Sequence, residues 1–290
     1  MMMLVTGATG TVGRPLINLL RIAGADVRAV SRDVAAADLP ADVEVVDGDP
    51  ARPDTLAAAL DGVTSLFLHP RAVGDAAAEL ADLARRGGVR RIVALSATNV
   101  DDDLSEQPSR FAGDRNREAE EAAAGSGLEW TSLRVSFFAA NTIAMWGAQI
   151  RNGDVVRYPY PDVSEAPIHQ HDIAGVAAQA LLTDELIGRR VVLTGPQSLT
   201  HAEMVGVIGD VLGRPLRYEE IGPGDAVERL VAHGLPEPFA VALMARYGRL
   251  SGTRQPVSDD VETILGRPAG TFARWVAGHA AAFAVRQERR

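Results

Sequence analysis

Short apolar runs alternate with amphipathic stretches through the first half of the chain. Met2-Met3-Leu4-Val5 is followed by Val12, Leu16, Ile17, Leu19 and Leu20 at helical spacing, ending near Gly24. Further runs of strand length lie at 26–30, 43–46, 65–68, 91–95 and 128–135, with helical spacing between them at 54–60, 76–86 and 113–124. Strands that are apolar throughout and separated by short helices predict a parallel sheet covered on both faces. From about Arg151 the alternation loosens. One more helix is predicted over 173–182, one more strand over 191–193, and Thr200 with Glu203 forms a capping box opening a helix that ends at Gly213. Stretches at 226–231, 239–247, 259–265 and 271–282 read as short helices. The expected fold class is α/β: a doubly wound parallel sheet at 1–150 and a smaller, mostly helical C-terminal part at 151–290, partly interleaved with the sheet and covering its rim.

The glycine spacing after the first strand gives that rim a chemistry. Gly7-Ala8-Thr9-Gly10-Thr11-Val12-Gly13 turns a strand directly into a helix opened by Thr11, and free N–H groups at a helix mouth suit a pyrophosphate. Gly7 permits the turn, Gly10 the approach of a ligand and Gly13 close helix–strand packing. Thr9, Thr11 and Val12 lie in the same cradle. Ligands on such sheets bind beyond the carboxyl ends of the strands, so Arg32, Asp49, Leu68-His69-Pro70 and Ser96 are expected on one rim with the glycines. Arg32, ending the second strand without an acidic residue at position 31, favours a 2′-phosphate and hence NADP(H) over NAD(H); the alternative pairs it with Asp33. Asp49 would lie under the adenine. His69 reads either as a proton donor or lid beside the nicotinamide or as an ordinary loop histidine. Phe137 and Phe138 reach the rim as pocket wall or as core, and Trp146 or Tyr160 would form an outer wall.

Composition narrows the chemistry. The chain has 290 residues, 47% hydrophobic, a net charge of −9 and no cysteine, which removes disulfides, thiol nucleophiles and thiolate metal sites. The negative charge argues against nucleic acid as a partner, and Arg85, Arg86, Arg90 and Arg91 read as a solvated helix end. No run is long enough to span a membrane, the start lacks a signal-peptide core, and a reducing cytoplasm fits. His169 and His171 lack a third ligand of suitable spacing, so no metal is expected, and Asp172 is read as a helix cap. Every Lys or Arg in the chain is arginine, which excludes Schiff-base chemistry and a tyrosine–lysine proton relay.

These pieces resemble the NmrA-like atypical short-chain dehydrogenase/reductases over nearly the whole chain. The resemblance is carried by residues 5–14, Ser31-Arg32, Gly48-Asp49, 91–96, 126–134, Pro167-Ile168 with Asp172-Ile173-Ala174, and 193–196. It implies a Rossmann domain with a small substrate domain and NADP(H) or NAD(H) as ligand. Asn116 stands where relatives often carry His or Lys; asparagine bonds a carbonyl but is neither acid nor base near neutrality. The expected activity is therefore hydride transfer to a planar conjugated acceptor, a quinone or aromatic polyketide-like molecule. A dinucleotide sensor, or a tailoring oxygenase or isomerase of aromatic natural products, are the alternatives, as monomer or homodimer.

Overall fold

The computed structural model describes residues 1–284. Strands β1 (Met2–Val5), β2 (Asp26–Ser31), β3 (Glu44–Asp47), β4 (Val63–Leu68), β5 (Arg91–Ala97) and β6 (Glu129–Val135) are followed by two short strands, β7 (Val155–Tyr158) and β8 (Ser164–Glu165), before β9 (Arg189–Leu193) rejoins them. The central sheet runs in the order 3-2-1-4-5-6-9, every pair parallel. Order reverses at β1, where the chain leaves toward β2 and later returns through β4 on the other side. Such a reversal opens a crevice beyond the strand ends.

Alternate residues of the strands feed two cores. Met3, Val5, Phe67, Val93 and Leu95 pack on α1 (Gly13–Ile22). Leu4, Leu66, Leu68, Ile92 and Ala94 face the opposite layer. That layer holds α3 (Ala77–Arg86), which follows the single-turn α2 (Pro70–Val73), and α5 (Asn116–Gly125), which follows the short α4 (Pro108–Phe111). After a π-helical turn at Ile143–Gly147 and α6 (Ala148–Asn152), α7 (Gln170–Leu182) joins the α1 side. The two helical stretches expected at 54–60 and 113–124 differ in detail. The first is a pair of 3₁₀ turns, and the second begins only at Asn116 because the turn at Gly113 has φ +98°.

The remaining elements are β10 (Leu199–Thr200), α8 (His201–Leu212), β11 (Arg217–Glu220), α9 (Pro223–Ala232), α10 (Glu237–Leu250), α11 (Asp260–Leu265) and α12 (Phe272–Gly278). β10 pairs with β8 and β11 with β7, outside the central sheet. Thr200 and Glu203 make the expected capping box on α8, and Gly213 closes it in the left-handed conformation. These elements surround a third core, centred on Trp146, Tyr158, Tyr247, Phe272, Trp275 and Phe283. Arg249 of α10 pairs with Glu106 at 3.3 Å, drawing the helix toward the β5–α5 connection.

The buried charges are structural. Glu120 of α5, 4% exposed, accepts from Ser132 (2.6 Å), Arg134 (2.6 Å) and Arg190 (2.7 Å), fastening the helix to β6 and β9. Burial raises its pKa, but the donors from Arg134, Ser132 and Arg190 outweigh that and hold it at about 2. The basic cluster at 85–91 is not one solvated surface. Arg85 and Arg86 pair with Asp82 in solvent, whereas Arg91 is 7% exposed, pairs with Glu129 and Asp184, and donates to the carbonyl of Thr183 just past α7.

Candidate dinucleotide and substrate site

The β1–α1 turn is built by backbone proximity. Gly7 has φ +63°, and a Cβ there would lie 2.7 Å from Cγ of His69. The N–H of Gly10 donates to Gly7 O at 3.0 Å, and a Cβ on Gly13 would sit 2.2 Å from that same carbonyl. The helix starts at Gly13 rather than at Thr11. Its N-cap is Val12, with no side-chain cap and no acidic residue in the first turn. Among the described residues no acceptor takes the N–H of Thr9, Thr11 or Val12, and both threonines are exposed. Uncapped donors at the positive end of a ten-residue helix are the partners an anion requires, so this turn fits a pyrophosphate. Arg14, whose part in the turn has no signature in the glycine spacing, donates to Thr9 O (3.0 Å), Ala37 O (2.9 Å) and Asp38 O (2.5 Å), tying the turn to the loop after β2.

In that loop Arg32 is exposed and has no ion-pair partner among the described residues. Asp33 is occupied elsewhere: Ser31 Oγ accepts its N–H, and its Oδ1 accepts the N–H of Ala36 at 3.0 Å. The Arg32–Asp33 pair is therefore absent. Asp49, after β3, spends its carboxylate on its own turn, taking the N–H of Ala51 at 3.1 Å, with Arg52 at 3.8 Å. Leu68 and Pro70 are buried, so their side chains face the core.

His69 sits between them against Gly7. Its N–H donates to Thr6 Oγ1 at 2.8 Å, and that hydroxyl donates to Phe67 O. Nδ1 is buried without a partner. Burial lowers the imidazole pKa, with Asp114 opposing and Arg71 adding to the shift, so the ring is neutral at pH 7. Arg71 and Asp114 pair through two bonds of 2.9 and 3.0 Å, bringing this loop to the start of α5. There Asn116, 8% exposed, donates to Ser109 Oγ at 3.2 Å. Ser96, at the end of β5, is 3% exposed and its hydroxyl has no partner.

Phe137 and Phe138 follow β6 and are half-buried. Phe137 packs on the C-terminal core and Phe138 on the α1-side core, while Phe137 O accepts the N–H of Ile168 and Ala139 donates to Ile168 O, pairing Phe138 with Ile168. Tyr160, at φ +52°, leans on α10, its ring 6.5 Å from that of Tyr247. Trp146 does not form an outer wall. The π-helical turn carries it inward, where it is fully buried between Tyr158 (6.1 Å) and His201 (5.8 Å) and offers a ligand no surface. The helix cap at α7 also differs from expectation: His169 Nδ1 accepts the N–H of His171, while Asp172 accepts from Gly270 and pairs with Arg267. Among the described residues no cluster of His and carboxylates is spaced to hold a metal.

A model of NAD(P)H-binding proteins matches residues 7–184. The chain belongs to this NAD(P)H-binding family. Its glycine turn and free helix donors are the parts that would hold the dinucleotide in this NAD(P)H-binding protein. Over 98% of its length it is 38% identical to a (4-alkanoyl-5-oxo-2,5-dihydrofuran-3-yl)methyl phosphate reductase of Streptomyces griseus, covering 99% of that protein. It is 34% identical to an NAD(P)H azoreductase of Xenophilus azovorans over 97% of this chain and 99% of the other. The fold matches a crystal structure of an NADPH-dependent quinone oxidoreductase from Escherichia coli with a TM-score of 0.81 at 24% identity, covering 97% of this chain and all of that one. No described helix is long and apolar enough to cross a membrane.

Proposed function

We propose that the protein reduces a planar conjugated acceptor with a nicotinamide cofactor, preferring NADPH. The observation that carries this reading is the acid–base inventory beside the glycine turn: a neutral His69, an amide at Asn116, and no lysine to tune a tyrosine. The bound dinucleotide would supply hydride. An acceptor whose reduction leaves a delocalised anion takes its proton from water, whereas a ketone needs an acid and an alcohol a base of matched strength; the neutral His69 carries no imidazolium proton to give, and its lowered pKa makes it a weak base. Named activities of the two similar relatives, on a conjugated furanone and on azo compounds, agree with such acceptors. The isomerase alternative depends on the missing tyrosine–lysine pair.

In this reading the turn at Gly7–Gly13 grips the pyrophosphate, Thr9, Thr11 and Val12 donate N–H groups, and the loops of Asp49 and Leu68-His69-Pro70 lie along the dinucleotide. His69 and Ser96 bound the nicotinamide end. Phe137, Phe138 and Tyr160 orient the flat acceptor, with the C-terminal part at 151–290 as its cover. The unpaired Arg32 meets the 2′-phosphate. A charged bond of that kind is worth about 1.5–3 kcal/mol, so Arg32→Ala should weaken NADPH roughly 10- to 100-fold and leave NADH unchanged. The test is steady-state oxidation of NADPH and NADH by quinones, azo dyes and simple ketones, together with reduction of NADP⁺ and NAD⁺ by secondary alcohols. Brisk alcohol turnover, or equal use of both cofactors by wild type and variant, contradicts the reading.

A further inference from the structure

A cavity of about 120 Å³ lies past the ends of β5, β6 and β9, bordered by Thr98, Ser136 and Thr194. Glu165 of β8 and Arg246 of α10 close it from the C-terminal side. The strand-end hydroxyls of Ser136 and Thr194 are already engaged, the first with Ala166 O at 2.8 Å and the second with Ser258. The two charged residues are not. Glu165 is 5% exposed, yet among the described residues no donor reaches its carboxyl group and no cation lies within 4 Å of it. Arg246 likewise makes no ion pair or hydrogen bond among the described residues. Buried carboxyl groups are almost always bonded, and an arginine beside one almost always closes onto it. Here both stop short and face the same small space.

We propose that this cavity is an oxyanion subsite that takes a phosphate, carboxylate or sulfonate carried by the acceptor, with Arg246 as the charged donor and the unpartnered carboxyl group of Glu165 bordering the same space. That the ligand is the acceptor rests on the reductase reading above; the anion site stands on its own geometry. Burial pushes the Glu165 carboxyl up to about 7, with Arg246 opposing, so it carries a proton to give up to pH 7. The titratable and charged groups around it are Arg246 and Tyr247 of α10, and burial keeps Tyr247 protonated. Raising the pH through 7 ionises Glu165, replaces a donor with a like charge and expels the anion.

Calorimetric titration of the full-length protein, with and without NADP⁺, by 1-naphthalenesulfonate and by uncharged naphthalene-1-methanol reads the site without turnover. Wild type should bind the sulfonate at least tenfold more tightly at pH 6, and lose that advantage by pH 8.5. Arg246→Met should abolish the advantage, and Glu165→Gln should keep it while removing its pH dependence. Equal affinity of wild type and Arg246→Met for the sulfonate, or a pH-independent wild type, overturns the site. Turnover separates the two ideas. Should unsubstituted naphthoquinone be reduced while Arg246→Met leaves sulfonate binding unchanged, the subsite is wrong and the reductase reading stands. Should no acceptor oxidise NADPH while Arg246→Met loses the sulfonate, the anion site stands and the reductase reading falls.

Discussion

At the scale of single residues, the three glycines of the turn do different work, and the contacts that a Cβ would make distinguish them. At Gly13 a methyl group would meet Gly7 O at 2.2 Å and Ala8 O at 2.7 Å, both rigid backbone atoms at the seam of α1 and β1. At Gly10 the nearest atom is Gly7 O at 3.1 Å, a tight contact that a shift of a few tenths of an ångström relieves, so a side chain there disturbs the fold less than at Gly13 and, on the proposed reading, takes the pyrophosphate's place. Gly10→Val should therefore keep the wild-type melting temperature within a few degrees while losing dinucleotide affinity by 100-fold or more. Gly13→Ala should cost about 2 kcal/mol or more of stability, by the strain of overpacking. Calorimetric binding and thermal melts of the two variants check this; matching melts, or retained binding in Gly10→Val, would refute the division of roles. The turn was readable beforehand because its meaning lies in local spacing. The burial of Trp146 is not legible for the opposite reason: a bulky aromatic near the rim has the same appearance whether it lines a pocket or fills a core, and the π-helical turn that decides between them has no simple sequence signature.

At the scale of elements, the position of α5, and with it of Asn116, depends on one carboxylate. Glu120 joins the helix to β6 through Ser132 and Arg134 and to β9 through Arg190. Removing one member of a buried ion cluster typically costs about 3–5 kcal/mol, since its partners remain desolvated. Glu120→Ala should fall in that range by denaturant unfolding, whereas the exposed Asp82→Ala should leave the unfolding midpoint where it is. Because the folded pKa of Glu120 lies below its unfolded value, its contribution is complete above pH 4.5 and fades as the pH falls toward 2. A variant insensitive to pH relative to wild type over 4.5 to 2 agrees; parallel pH curves do not. The order of strands and helices was legible in the chain because apolar runs and glycine stops are local. This network was not: Glu120, Arg134 and Arg190 are separated by up to 70 positions, and each reads singly as a surface charge. Glu165, in a short polar-looking stretch before Ala166, gave no signal either.

For the molecule as a whole, the loss of stability toward acid begins with a histidine that the C-terminal core holds neutral. His201 is fully buried among Trp146, Tyr158 and Tyr247, and burial lowers its pKa to about 4. The unfolded chain takes up that proton near pH 6.5, so stability drops as the pH falls from about 6.5 to about 4, by about 3 kcal/mol for this group. Glu165 works the other way: its raised pKa withdraws stability as the pH climbs from 4.5 to 7. The unfolding free energy of His201→Phe, relative to wild type, should therefore improve by about 3 kcal/mol between pH 7 and 4; a constant difference would show that His201 titrates normally. The sheet order carries a separate consequence for how the chain is made. β9 pairs with Thr131–Val135 of β6, yet 53 residues, including β7, β8 and α7, separate the two strands. A nascent chain halted at residue 150 has six strands and an outer β6 whose hydrogen bonds have no taker, a template for aggregation. Closure waits until residue 193 has left the ribosome and a long loop has been closed, which places this protein among slow, non-local folders. A fragment of residues 1–150 should aggregate, and a soluble, folded 1–150 fragment would show that the seventh strand is dispensable.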